Sequence, residues 1–403
     1  RVSLVLSFFW LIVYIFINLT SVLWLGSLAI NALTGLDLFY GLVLLAIFSL
    51  AYSLSGGLKA VAMTDGVQVI LLIFGGLAVS FIALNIISES NGVMEGMRIV
   101  MNEMPEKFDM VLSSDNSSYK DLPGIWILLG LGVWIGHFFY WGFNQYITQR
   151  ALAAKDIKEA QKGVMFAAYL KLLMPIVIVL PGICAAILFP MLEKSDQAYP
   201  TMMSLLPNGL LGLTFAALIA AIVSSLASMS NSISTIFTMD IYKYFKNDNV
   251  TQSKLIQVGR ITVIVSVLIA TLVAQPLLGS FESIFQYIQN FTGYFSPGIV
   301  VIFLVALFWK KATSLSVLVA ALISLIASIL LSINFPELPF IHRMTLVFVL
   351  SAIGCIATTH LQGYKDQKKA IDLSTVNFST SKAFNLNTVV IVYVLVCIYV
   401  AFA

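Results

Sequence analysis

Apolar windows about twenty residues long follow one another along almost the whole chain, and this succession limits the folds open to it more than any motif does. Read in order there are eleven, at 4–32, 38–56, 66–88, 123–148, 163–190, 209–238, 256–277, 282–308, 312–333, 342–361 and 384–402. At about 1.5 Å per residue each can cross a hydrocarbon layer about 30 Å thick. Backbone amides in lipid must be paired within their own segment, so such windows fold as helices. Charged residues make up only 10% of the chain, against roughly a quarter in a soluble domain. The expected fold is an all-α polytopic membrane protein.

Charge orients it. Alternating through the windows from the side that holds Arg1 puts sixteen Lys and Arg in inner loops. Only five, Arg98, Lys107, Lys120, Lys194 and Arg343, fall in outer ones. Basic residues are in excess on the cytoplasmic side, so the Arg1 side is expected inside the cell membrane, with the loop 89–122 and the C-terminus outside. The net charge of +3 then reports topology and not affinity for nucleic acid. Cys184, Cys355 and Cys397 all lie in apolar windows without metal-ligand spacing, and no paired-His motif of a membrane hydrolase is present. The chain opens almost directly on a helix and without Met, so further helices are expected before Arg1.

Lys171 is the one cation left over. It falls in GVMFAAYLKLLMPIVIVLPGICAAILFP (Gly163–Pro190), roughly 12 Å from the Gly163 end. A lysine at that depth costs about 2.5–3.5 kcal/mol on insertion scales. Either its stem snorkels to the nearer surface, or its amine faces a polar solute within the membrane. Other polar groups share its depth. His137 lies about 21 Å from the outer end of its window and Gln289 about 11 Å from the outer face.

Each of these groups has two readings. His137 is a packing residue, or it joins Tyr140 and Trp141, one turn on, in stacking on and hydrogen-bonding to a ring. Ser224, Ser228 and Ser232 recur every four residues on one face. That stripe serves close helix packing, or offers uncharged oxygens to a hard cation. Gln289 can donate and accept, which suits a solute rich in hydroxyls. Asp65 is a solvated cap or part of a cation path. Gly293 and Pro297 are expected to interrupt the eighth window, as a plain kink or as a break lining a cavity. Windows one to three and six to eight repeat a long, short, medium pattern in opposite orientation, the property of an inverted repeat.

Six stretches carry a resemblance: AYSLSGGLKAVAMTDGVQV (Ala51–Val69), FYWGFNQYITQRALAAK (Phe139–Lys155), EAQKGVMFAAYLK (Glu159–Lys171), AAIVSSLASMSNS (Ala220–Ser232), STIFTMDIYK (Ser234–Lys243) and FQYIQNFTGYFSPGI (Phe285–Ile299). Together they resemble the sodium:solute symporter family, and within it the bacterial sodium/galactose (sodium/glucose-type) branch. The resemblance implies a five-plus-five inverted-repeat helical bundle. Three helices of the first repeat would lie in 1–88, an outer loop in 89–122, the second repeat in 123–308 and three added helices in 309–403. It implies alternating access in which Na+, the coupling ion, and a sugar cross together, with no enzymatic step. By position, Ala221, Ser224 and Ser225 would hold sodium through a carbonyl and hydroxyls. Lys171 and Gln289 would bind the sugar, Tyr140 would close the inner side, Phe285 would help seal the outer side, and Asp65 would lie on the cation path. Galactose-binding relatives carry Asn where this chain has His137, so the sugar or its orientation is expected to differ. The rival solutes are a polyol or a small carboxylate, and the rival class is a permease-like sensor acting through an attached partner.

Overall fold

The computed structural model describes residues 2–402 apart from 121–123, 247–249, 282, 368 and 369, and without the side chains of 55–62, 117, 120, 127, 128 and 375. The basic residues Arg1, Lys368 and Lys369, and the side chains of Lys59 and Lys120, therefore lie outside the description. Every regular element among the described residues is helical. Those used below are α1 (Val2–Thr34), α2 (Leu38–Leu54), α3 (Met63–Ile87), α4 (Val93–Glu103), α5 (Leu131–His137), α6 (Ile157–Leu172), α7 (Pro175–Leu188), α8 (Asn208–Phe245), α9 (Gln252–Leu278), α10 (Ile284–Phe308), α11 (Ser314–Asn334), α12 (Phe340–Leu361) and α13 (Lys382–Ala401).

Among the described residues, eight helices are long and apolar enough to cross a membrane, or nine when α6 and α7, bent by 41°, count as one span. The expected eleven are thus not all present as single helices. Window 38–56 forms α2, the first part of the helical stretch Leu38–Ile87. Window 123–148 is divided among Trp126–Leu129, α5, a π-helical turn Phe138–Gly142 and Gln145–Leu152. Its breaks fall where Gly130 and Asn144 turn to extended backbone, with ψ of 152° and 114°.

The expected break in the eighth window is absent too. α10 runs unbroken through Gly293 and Pro297. A proline removes one helical hydrogen bond and crowds the carbonyl four residues back, here that of Gly293, which has no side chain. Next to it the neighbouring helix supplies partners. Gly298 N–H donates to Ser324 Oγ at 3.0 Å, and Ser328 Oγ donates to the Tyr294 carbonyl at 2.9 Å. Tyr294 and Ser332 share a hydroxyl contact at 2.6 Å. Serines four apart on α11 thus brace α10 around its proline, the usual remedy for loosened backbone in a membrane helix. Replacing Ser324 with Val should leave the Gly298 N–H buried without an acceptor. The expected loss is about 1–3 kcal/mol, read as a lower unfolding temperature in detergent.

The chain forms two compact units, one of Arg1–Val2, Asp109–Ala168 and Gln289–Ala403, the other of Ser3–Phe108 and Tyr169–Ile288. In the first, α10, α11 and α12 meet around Val301, Ala320 and Cys355. Its loops pair by side. Gln367 N–H donates to the Lys310 carbonyl at 2.9 Å, and Lys311 lies 3.7 Å from the Tyr364 ring centroid. At a different place, Met110 N–H donates to the carbonyl of Phe402, near the C-terminus, at 2.7 Å.

In the second unit, the ends of α3 and α7 pack with α4 and Ala198–Met203 around Val79, Leu84, Cys184, Met202 and Met203. The helical stretch Leu38–Ile87 has 50 residues, about 75 Å if straight. It is not straight: the hydroxyls of Tyr52 and Thr64 hydrogen-bond, although twelve residues of rod would hold them about 18 Å apart. The stretch is therefore bent between Tyr52 and Thr64, into the two parts α2 and α3. Small residues bring them close to their neighbours, as is usual where lipid removes the hydrophobic drive between helices. A Cβ on Gly41 would lie 3.2 Å from that of Ser27 in α1, and one on Gly75 would lie 2.4 Å from the Thr214 side chain in α8.

Candidate functional site

The residues singled out from the sequence fall into the two units, and each unit has its own arrangement. In the second unit, α8 carries Ala221, Ser224 and Ser225 on consecutive turns of regular helix. α3 lies antiparallel beside it, since Gly75 meets Thr214 while Asp65, ten residues earlier, meets Ser224, ten residues later. The Ser224 hydroxyl donates to the Asp65 carboxylate, and Ser228 Oγ donates to the Ser224 carbonyl at 3.0 Å. Ser224 is buried, while Ala221, Ser225 and Asp65 are half-buried. Asp65 is therefore no solvated cap. It sits inside a helix and accepts a bond from the helix opposite. A serine that donates its proton to a carboxylate keeps both oxygen lone pairs for another ligand. The set then offers hydroxyls, a backbone carbonyl and one carboxylate, all hard oxygens of the kind that hold an alkali or alkaline-earth cation.

Lys171 lies in the last turn of α6, with its side chain exposed. The helix ends there for a local reason. Pro175, four residues on, cannot donate to the Lys171 carbonyl and crowds it. The chain resumes as a π-helical turn, Pro175–Val179, in which Leu180 N–H reaches back five residues to the Pro175 carbonyl. Ser80 of α3 donates to the Ile176 carbonyl in this turn, and Gly76 admits it, since a Cβ there would lie 2.4 Å from Val177. The break beside Lys171 was legible in KLLMP (Lys171–Pro175), where proline follows the lysine at a spacing of four. The sequence reading gave that break to α10 instead. Phe285, in the first turn of α10, is 65% exposed.

In the first unit, His137 closes α5, and Tyr140 lies in the π-helical turn Phe138–Gly142, where Phe143 N–H donates to the Phe138 carbonyl at 3.2 Å. π-helical turns of this kind are frequent at functional sites. The His137 ring meets Trp134 edge-on at 6.4 Å. The Tyr140 hydroxyl shares a hydrogen bond with that of Tyr146 at 3.0 Å, and its ring meets Trp141 edge-on at 5.0 Å. Sequence reasoning missed Tyr146, which lies beyond the π turn and off any simple helical spacing. Gln289 is exposed on α10. Both helices rest on one residue of α12: a Cβ on Gly136 would lie 3.8 Å from the Met344 methyl, and one on Gly293 would lie 3.6 Å from its sulfur. Met344 thus brings the His137 helix and the Gln289 helix to the same place.

Known proteins resemble this chain over most of its length. The profile of the sodium:solute symporter family matches residues 1–326. The sodium/glucose cotransporter of Vibrio parahaemolyticus is 42% identical over 422 aligned residues, which cover 100% of this chain and 77% of that protein. The human sodium/myo-inositol cotransporter 2 is 33% identical over 354 residues, 77% of this chain and 50% of that protein. The chain therefore spans about half the length of that animal relative. Among solved structures, a Na+-coupled sialic acid symporter in a substrate-bound outward-open state superposes with a TM-score of 0.72. That match covers 89% of this chain and 73% of that one at 23% identity, a likeness of fold.

Proposed function

Because this chain belongs to the sodium:solute symporter family, whose members are membrane transporters, we propose that it carries a neutral, hexose-like sugar into the cell together with Na+, the coupling ion. The observation that carries the proposal is the meeting of Ser224 with Asp65 across two helices, beside Ala221 and Ser225. It gathers hard oxygens around a single carboxylate, which suits a weakly held monovalent ion. In this reading Lys171 and Gln289 hydrogen-bond the sugar, His137 reads one of its hydroxyls, Tyr140 closes the inner side and Phe285 the outer. One fixed cation, Lys171, favours a neutral guest over an anion. Sodium entering down 100 mV releases about 2.3 kcal/mol, and a tenfold gradient adds about 1.4. That drives accumulation without ATP.

A cyclic polyol is the second reading, favoured by the 33% identity with an inositol cotransporter. Uptake of radiolabelled hexoses and inositols into proteoliposomes, with and without a sodium gradient, separates the two. Sodium-independent uptake of every solute would reject both. His137→Asn should change the order of preference among sugars by about tenfold, the worth of one hydrogen bond. An identical panel for the two proteins would remove His137 from the site.

The inverted repeat bounded at 88, 122 and 308 belongs to this reading, as does an orientation with the Arg1 side in the cytoplasm of the cell membrane. The sixteen-to-five excess of basic residues supports it. So do the pairings of the two Lys-bearing loops with each other and of the loop 89–122 with the C-terminus.

A further inference from the structure

The loop between α7 and α8 grips both sides of the turn between α9 and α10. Lys194 Nζ donates to the carbonyl of Gly279, the residue that closes α9, at 2.8 Å. Two residues on, Asp196 Oδ2 accepts from the backbone N–H of Ile284, the first residue of α10, at 2.8 Å. Each charge suits the helix end it meets. The ammonium faces the carbonyl-rich end of α9, and the carboxylate faces the amide-rich end of α10.

The grip is anchored on the protein side. Lys194 lies 5.8 Å from the Trp24 ring centroid in α1. Ile284 and Tyr287 are buried, and Phe281 meets Tyr287 edge-on at 5.0 Å. Burial pushes the Asp196 carboxyl above its ordinary range, while the Ile284 N–H and the Lys194 ammonium pull it back down. What this turn presents is Phe285, next in sequence to the capped amide, and, one helical turn further, Gln289.

We propose that Lys194 and Asp196 are positioning residues for transport, a two-point clasp that fixes the α9–α10 turn and so aims Phe285 and Gln289. The inference rests on the symport reading above. A helix start that loses its acceptor leaves an amide unpaired and frays its first turn. The two residues the solute would meet on α10 stand on that turn and the next.

The test uses the full-length protein in proteoliposomes, with Asp196 changed to Ala or to Asn. Asp196→Ala should raise the sugar KM about fivefold, with kcat within about twofold, the worth of one helix cap. Amide hydrogen exchange at Ile284–Tyr287 should quicken with it. Asp196→Asn keeps an oxygen that accepts from Ile284 and should restore most of both. The idea is overturned if exchange in Asp196→Ala matches the unaltered protein, if exchange quickens while KM stays put, or if Asn is as impaired as Ala. Should Asp196→Ala fail to fold, Lys194→Met carries the same two measurements, with exchange read at the Gly279 side of the turn. Exchange needs no sugar, so an absence of uptake in the unaltered protein rejects the transport reading without touching the clasp.

Discussion

Lys171→Ala is expected to cut sodium-driven sugar uptake about a hundredfold while sodium binding stays within about threefold, since hydrogen bonds to a charged group are the strong ones. Three observations meet at this lysine. It lies about 12 Å into its apolar window, deeper than any other Lys or Arg. Its helix ends one residue later, because Pro175 sits four positions on. Its side chain is exposed. A snorkelling lysine makes a different prediction, because its stem does the work and its charge merely reaches water. Lys171→Met keeps the stem and removes the amine. Uptake by the Met variant near the unaltered level would return Lys171 to the snorkelling role. Loss in both variants, with sodium still bound, assigns the amine to the solute.

Ser225→Ala should raise the sodium concentration for half-maximal uptake about tenfold, the effect of removing one oxygen from a small set. The neighbouring serine ties the two helices together: Ser224 is buried and donates to Asp65. Ser225 is half-buried one position on, with no bond to Asp65 in the structure described. Its loss therefore changes the ligand set and leaves the α3–α8 contact in place. Asp65→Asn probes the same place by charge, since an amide oxygen still accepts from Ser224 but brings no negative charge. Both variants should shift sodium activation curves measured at saturating sugar. A curve unmoved by either change would remove the cation from this pair of helices.

How much of this was legible beforehand differs from one residue to the next. The helical nature of the windows followed from backbone chemistry in lipid, while the family resemblance was carried by the motifs around Asp65, Tyr140, Lys171, Ser224 and Gln289. Breaks were read less well. Proline was taken as the sign of an interruption in α10, yet Pro297 is bridged by serines on α11, which the sequence of α10 cannot reveal. Beside Pro175, Ser80 of α3 bonds the Ile176 carbonyl, yet there the helix does end. From its place at the end of window 66–88, Asp65 reads as a solvated cap or as part of a cation path. Only its neighbour across the interface, Ser224, makes it an internal acceptor.

Local chemistry thus determined which segments are helices, which of them are apolar enough to cross a membrane, and which few polar groups lie where lipid would not accept them. Those properties depend on neighbours within one turn, so the order of residues suffices. Tertiary structure decided what each polar group faces: Asp65 on Ser224, the serines of α11 on the proline turn of α10, and Asp196 on the first amide of α10. Such pairings join residues from about 25 to 160 positions apart in the chain, where only the packed arrangement of helices selects a partner.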